Sequence, residues 1–476
     1  MRHVIIIGLV ISQLTAYGQA TCDCKSELDY VINYYEKNLP GFKDNVTPLN
    51  KSEYSEFKVQ LKEAASNISK RTECFKILTR FVEFFKDNHS SIRMQFPSVD
   101  ESDSMEVKTF KDSEIYISRE INELEDKNLG QHPINKIEGI YQTSDTTYTI
   151  AIIPDKSENR DYIGVILDSK SKLWERGQVK LELKKIPNSP KYEAFIYLRN
   201  HSIEYRDDVS LESGILAGNW FKTSLDSYVN PAADASTEFS FSKLNDSIAY
   251  LRIPTFSSYN SAKIDSLYKA SFPEIRKTPY LIIDVRNNGG GNDNNAAPLL
   301  EFMYTDPIKS DVIDVYVTPD NIKVWESWYQ SAKQDTVNFK KENLLRLEEE
   351  IERQKKAEPY TFISRSKGGE VIRNYDKNDV KKVVIIQNRL SASSCESLLF
   401  WAMQSSKTIL VGENSGGYVG YGEIGSVPTP CYEFALGCTM TRYREQRKYE
   451  AEGIPPDYYL NYDEDWVKQA IRLLND

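Results

Sequence analysis

Hydrophobic positions recur at three- and four-residue spacing early in the chain, where Phe75, Leu78, Phe81, Val82 and Phe85 form one stripe. That period predicts an amphipathic helix within a helical stretch over about 27–87, ended by Asp87-Asn88. From about Pro133 to Thr223 the texture changes. Short β-type runs at 148–153, 162–167, 179–183 and 192–198 are separated by turns rich in Asn, Asp and Ser, which predicts an all-β module of barrel or sandwich type. After Ser247, apolar strands alternate with helical segments. A strand over 249–253 precedes a helix over 261–272, and one over 280–285 precedes a helix beginning near Asn294. A third strand, 383–386, precedes a helical run over 397–404, and a fourth follows at 408–411. Apolar strands between helices imply a sheet buried on both faces, the signature of an α/β core. The charged run 338–356 predicts a solvated surface helix, with a lid over a cleft as the alternative.

These changes divide the chain into a signal peptide (1–20), an N-terminal helical segment (21–98), a β-rich module (99–238) and an α/β domain (239–476). A length of 476 residues calls for more than one core. With 40% hydrophobic and 27% charged residues the composition is globular, and thirty tyrosines fit β-rich portions or an aromatic-lined groove. A net charge of −10 without a basic stripe argues against nucleic acid as a partner. Met1-Arg2-His3 precedes an apolar run over 4–10, and Gly18-Gln19-Ala20 supplies small residues for cleavage after about Ala20, so a secreted or periplasmic protein is expected. That run is too short for a membrane span, and no later segment is apolar enough to predict one. The address permits disulfides: Cys431 and Cys438 could close a hairpin, Cys74 could pair with Cys22 or Cys24, and Cys395 reads as a buried thiol. No cysteine and histidine spacing suits zinc, so neither metal nor cofactor is expected.

Two loops carry candidate chemistry. The strand ending at Asp284-Val285 runs into Arg286-Asn287-Asn288-Gly289-Gly290-Gly291, where consecutive glycines allow close backbone approach and an N–H nest that could hold an oxyanion. No Gly-Lys-Ser/Thr follows, which excludes the usual phosphate loop. The strand before Asn388 leads to Ser391-Ala392-Ser393-Ser394-Cys395-Glu396. Ser393 at a strand-to-helix junction suits a nucleophile, because the helix N-terminus favours negative charge. Equally, Ser393 with Glu396 three residues on is a capping box. A nucleophilic serine needs a base, and the histidines available after the signal are His89, His132 and His201. His132 and His201 fall in or beside the β module, whereas His89 follows the end of the amphipathic helix and is the best placed to reach a shared cleft.

Leu281 through Gly291, Ser391 through Glu396, and Val411-Gly412-Glu413-Asn414-Ser415-Gly416-Gly417, in that order, resemble the C-terminal-processing (tail-specific) serine protease family. Ala249 through Phe256 resembles the strand that opens that family's core. The resemblance implies a Clp-protease/crotonase-type ββα superhelix with Ser393 as nucleophile and an oxyanion hole from the Ser394 N–H and one glycine, Gly290 or Gly291 being favoured. Tyr418 stands where many members carry a lysine base, so a Ser–Lys dyad is not expected. Tricorn-like members use a histidine from an N-terminal helical segment instead, and Asp87-Asn88-His89-Ser90 is similar to their motif. In that branch a late glutamate supports the histidine, which points to Glu450, with Glu452 as the alternative and Asn88 as a possible relay. The family's usual PDZ signatures do not occur between Asp100 and Ser240, where the β module sits in their place. The resemblance therefore implies a secreted serine endopeptidase acting on peptides or unfolded proteins. A catalytically degenerate binding protein for an apolar or peptide ligand, resembling the interphotoreceptor retinoid-binding relatives, is the alternative.

Overall fold

The computed structural model describes residues 23–475 apart from 95, 125–131, 144, 156–159, 188, 213, 218, 224–236, 335–340, 372–374, 376 and 463. The expected signal peptide and Cys22 lie outside the described residues.

The α/β core forms as the apolar strands dictate. A six-stranded sheet runs in the order Ser240–Asn245, Ile248–Arg252, Tyr280–Asp284, Lys382–Gln387, Thr408–Gly412 and Tyr458–Tyr459. Its first pair is antiparallel and the remaining pairs are parallel. Strand alternation sends Leu281, Ile283, Val383 and Ile385 to one face, where they pack with helices Ser261–Ile275 and Ser394–Ala402. Ile282, Val384 and Ile386 point the other way, against Trp466, Ala470 and Leu474 of helix Trp466–Asn475. Both faces are thus covered, which is why these strands carry almost no polar positions.

The N-terminal segment folds as helices Cys24–Asn38, Pro40–Asn45, Lys51–Ala65 and Arg71–Glu83. A disulfide joins Cys24 to Cys74 with the Cα atoms 5.4 Å apart, fastening the first helix to the last. These helices share one hydrophobic cluster with the inner face of the β module and with Phe434, Leu436 and Cys438. The boundary expected near residue 98 therefore does not separate two clusters. Buried Glu27 ties the first helix to the hairpin turn by accepting from the Thr429 hydroxyl, the Cys431 N–H at 3.0 Å and the Tyr432 N–H at 2.9 Å.

Two expectations are corrected. The β module is neither sandwich nor closed barrel. Its nine strands, from Gly139–Thr143 to Trp220–Lys222, form one antiparallel sheet, and among the described residues no ladder joins its two edge strands, Ile203–Val209 and Leu211–Glu212. Hairpins link the strands from Gly139–Thr143 to Ile203–Val209, Trp220–Lys222 returns beside Gly139–Thr143, and the N-terminal helices cover the inner face in place of a second sheet. The Cys431–Cys438 disulfide does not form either. Cys438 is a free, buried thiol on strand Ala435–Tyr443 opposite Gly425, whereas Cys431 lies in the turn beyond Pro428↔Ala435 and is bonded elsewhere. A residue in the turn and one three positions into the strand cannot face each other. Cys395 is a buried free thiol, as its place on the helix suggested.

The charged run forms helix Lys341–Lys355, packed through Ile351 on Trp325 and Met440, while Asn338 lies outside the described residues. Among the described residues no helix is long and apolar enough to cross a membrane.

Candidate active site

Strands Tyr280–Asp284, Lys382–Gln387 and Thr408–Gly412 are parallel neighbours, so the loops that follow them leave the same edge of the sheet. Those loops are the glycine run, the serine segment and the Gly412–Gly417 segment. Asn388 locks the first two together, accepting the Asn287 N–H at 2.8 Å and donating to the Asn287 side chain at 2.7 Å. The Ala392 N–H bonds the Asn288 carbonyl at 2.9 Å, and the Ser391 hydroxyl bonds the Val285 carbonyl at 2.8 Å. Beneath them, buried Asp284 accepts from Arg286 at 2.6 Å and from the Tyr250 hydroxyl at 2.8 Å.

Ser393 is half-buried and sits at φ 58, ψ −122, at the N-cap of helix Ser394–Ala402. Positive φ on a serine costs free energy, and such residues cluster at functional sites. The glutamate half of the expected capping box is present, with the Ser393 N–H donating to Glu396 Oε2 at 2.9 Å. The Glu396 N–H bonds the Ser393 carbonyl at 2.7 Å.

Glu396 does more than cap. Its fully buried carboxylate also accepts from the Ser415 hydroxyl at 2.6 Å and from the Gly417 and Tyr418 N–H groups at 2.8 Å each. One side chain thus holds the serine loop to the 415–418 loop. Burial raises its pKa despite those donors. Sequence spacing revealed its cap role and not this reach, because Ser415 to Tyr418 adjoin it only in three dimensions.

Gly290 and Gly291 approach the serine from the neighbouring loop. A Cβ on Gly290, whose φ is +87, would lie 2.5 Å from the Ala392 carbonyl, 2.7 Å from the Ser394 nitrogen and 2.8 Å from the Ser393 Cβ. Only glycine fits there. The Gly290 N–H is committed to Asn288 Oδ1 at 3.0 Å. Among the described residues no protein acceptor takes the Gly291 or Ser394 N–H. Asp293 is a neighbour the sequence did not single out. Its carboxyl lies near the Ser394 and Ser397 side chains, and burial pushes its pKa up.

His89 reaches the same locality from the far end of the chain. Helix Arg71–Glu83 delivers the turn Asp87 to Ser90, and strand Ser91–Arg93 pairs with Ala435–Tyr443. Asp87, visible in sequence only as part of the motif before His89, fixes that turn. Its buried carboxylate accepts from the His89 N–H at 3.1 Å, the Ser90 hydroxyl at 2.8 Å and the Thr439 hydroxyl at 2.6 Å. The His89 ring stands edge-on to Tyr418, centroids 5.4 Å apart, so the tyrosine in the lysine's place packs against the candidate base. Burial lowers the His89 pKa to about 4, partly offset by the nearby Tyr421 backbone. Its Nδ1 is buried without a hydrogen-bond partner, and among the described residues no hydrogen bond joins the ring to Ser393.

Glu450 approaches the turn but not the imidazole. It accepts from the Asn88, Val419 and Gly420 N–H groups at 2.8, 3.0 and 2.5 Å. Asn88 in turn donates to the Gly417 carbonyl at 3.0 Å. Both residues bind backbone, so the structure places them as clamps on the 416–420 loop. Glu452 is exposed. His132 and His201 are remote in function: His201 is buried on Trp174 in the β module, its Nε2 2.9 Å from the Leu173 carbonyl.

Residues 247–460 match the model of peptidase family S41. Among solved structures the chain is similar to mature CPAF complexed with lactacystin, at 13% identity and a TM-score of 0.49, covering 95% of this chain and 97% of that one. It is also similar to the photosystem II D1 C-terminal processing protease, at 12% identity and a TM-score of 0.36, covering 95% and 97%. A third likeness is to the tricorn protease, at 11% identity and a TM-score of 0.36, covering 95% of this chain and 36% of that one. No curated protein matches the chain. The match over residues 247–460 makes this stretch similar to the S41 family of C-terminal-processing proteases and supports a serine-type peptidase.

Proposed function

We propose that the chain is a secreted or periplasmic endopeptidase for peptides or unfolded proteins, with Ser393 as nucleophile, His89 as general base, and the Ser394 and Gly291 N–H groups as the oxyanion hole. The observation that carries this reading is Ser393 itself, held at φ 58 over a helix N-terminus and against a glycine that admits no side chain. In this reading the Ser393 hydroxyl gives its proton to neutral His89 and its oxygen attacks the peptide carbonyl. The tetrahedral oxyanion is stabilised by the two N–H groups and the helix dipole. His89 then returns the proton to the leaving amine, and water repeats the sequence to release the acyl group. Substrate binding closes the gap between His89 and Ser393, a tightening common on passing from the free enzyme to the complex. Glu450 and Asn88 are positioning residues that set the height of the His89 turn against the 416–420 loop. The six-stranded sheet and its helices serve as a Clp-protease/crotonase-type core, and the β module takes the position where a PDZ domain stands in many relatives.

A fluorophosphonate probe and a casein assay test this on wild type and Ser393→Ala. Wild type should be labelled and active, and Ser393→Ala neither. Equal labelling of the two proteins would remove Ser393 as nucleophile.

A further inference from the structure

Lys180 lies on strand Val179–Lys185 and is 3% exposed. Its ammonium stands 3.9 Å from the ring centre of Trp174 and 4.0 Å from that of Tyr148, and it donates to the Leu198 carbonyl at 3.3 Å. Among the described residues no carboxylate comes within ion-pair distance of it. Glu182, two residues on and on the same face of the strand, is occupied by Lys76 at 2.8 Å and by the Tyr197 hydroxyl at 2.5 Å. Burial first, and then the neighbouring cations Arg119 and Arg199, hold its pKa well below the usual lysine range. An uncompensated buried cation is costly, and proteins keep one where an anion completes it or where the neutral amine is used.

The lysine is not sealed in. It lines a cavity of about 350 Å³ in the β module, with Tyr148, Ile196, Trp220, Arg199 and Arg206 around it. Of the two carboxylates on the wall, Glu204 is paired with Arg206 at 2.7 Å, while Asp145 is held as an anion by the Thr143 and Thr147 hydroxyls. Arg199 pairs with Glu101 at 2.9 Å yet is 62% exposed, leaving guanidinium donors at the rim. The cavity therefore has the Lys180 amine at its base, arginines at its wall and rim, aromatic sides, and room for a small organic acid or one terminal residue of a peptide.

We propose that this cavity binds a carboxylate-bearing ligand with an aromatic or apolar body, the carboxylate pairing with Lys180 and the body lying against Trp220 and Tyr148. The pairing supplies the counter-charge that the fold withholds from Lys180, and the rings fix the attached group. The site does not rest on the Ser393 chemistry.

Tryptophan fluorescence of the full chain, titrated with N-acetylphenylalanine and with its amide, tests the proposal. The acid should bind at least tenfold more tightly than the amide. Lys180→Met should remove that preference while leaving amide binding and casein hydrolysis unchanged. The same comparison with N-acetyl-Ala-Ala-Phe and its amide, on Ser393→Ala protein to prevent cleavage, separates two sources of the carboxylate. Tighter binding of the tripeptide acid assigns the site to a chain terminus, and tighter binding of N-acetylphenylalanine to a small acid. Equal affinity for acid and amide in the wild type, or no binding of either, overturns the proposal whether or not Lys180→Met folds.

Discussion

The carboxylate of Glu450 accepts the main-chain N–H of Asn88 at 2.8 Å, a contact between residues 362 apart in sequence. It lies one residue before His89, so it acts on the path of the backbone and not on the ring. Glu450→Gln substitutes an NH₂ for one acceptor and turns it toward main-chain donors, leaving at least one N–H unsatisfied. Stability should fall by about 1–3 kcal/mol, and kcat/KM by roughly tenfold to a hundredfold as the histidine loses register. Burial and the nearby charge of Asp87 raise the Glu450 pKa from 4.5 to about 8. The folded state then holds more protons than the unfolded state between those values, so folding stability falls as pH rises through the window. Melting temperatures from pH 5 to 8 should decline more steeply in wild type than in Glu450→Gln, the remaining slope coming from other carboxyls whose pKa burial raises, Glu83 among them. Parallel curves would show that Glu450 does not titrate in that window.

Gly290 and Gly289 provide a contrast within one loop. A methyl on Gly290 would strike the Ala392 carbonyl and the Ser394 nitrogen, whereas a methyl on Gly289 meets nothing within 4 Å. Gly290→Ala should lose at least about a hundredfold in kcat, because the glycine loop must retreat from the nucleophile. It should also cost about 1–3 kcal/mol of stability through its strained φ. Gly289→Ala should stay near wild type in both. Similar losses in the two variants would show that the loop matters through flexibility and not through close approach.

The apolar strands and the loops that follow them were legible because each is a local pattern, whereas the parallel pairing that brings the three loops to one sheet edge appears only in the fold. The place of Ser393 at a strand-to-helix junction was legible for the same reason, whereas the contact of the His89 ring with Tyr418 was not, because a histidine after an amphipathic helix carries no information about which loop it meets. Glu396 was only half legible: its spacing from Ser393 announces a cap, but its bonds to Ser415, Gly417 and Tyr418 depend on a parallel neighbour strand. Asp87 was visible as part of the motif before His89, but its role in fixing the turn was not, since its partner Thr439 lies on a strand 352 residues away. The nine-strand sheet was hidden because short alternating strands have the same texture in a barrel, a sandwich or one open sheet. Cys431 misled by spacing alone, as seven positions in sequence carry no information about which strand face each sulfur occupies.

The depressed pKa of His89 makes a prediction about acid limits. An exposed histidine base would lose activity below about pH 6.5, but burial lowers this one to about 4. The neutral, proton-accepting form therefore persists through mildly acid pH, and the acid limb of kcat/KM should fall near pH 4–5 rather than near 6.5. His89→Gln should abolish that limb along with most of the activity. Stability follows the same group: below 6.5 the unfolded histidine takes up a proton that the folded one refuses, so the folded state loses ground as pH falls from 6.5 toward 4. A kinetic limb centred at 6.5 would place the base elsewhere or in an exposed environment.

Ser393 holds a conformation better suited to glycine, at φ 58 and ψ −122. Strain of this kind costs about 1–3 kcal/mol, and Ser393→Ala retains it because alanine also carries a Cβ. Ser393→Gly releases it, and glycine is itself an acceptable N-cap, costing only a few tenths of a kcal/mol in that role. Ser393→Gly should therefore be more stable than Ser393→Ala by about 1 kcal/mol or more in urea unfolding, while both lose at least about 10⁴-fold in kcat. Such an outcome would separate the two roles of the residue, since the hydroxyl serves the reaction and the backbone geometry that presents it is maintained at the expense of the fold. If the two variants unfold at the same urea concentration, the positive φ stores no free energy, and the position of Ser393 owes more to Glu396 than to the turn itself.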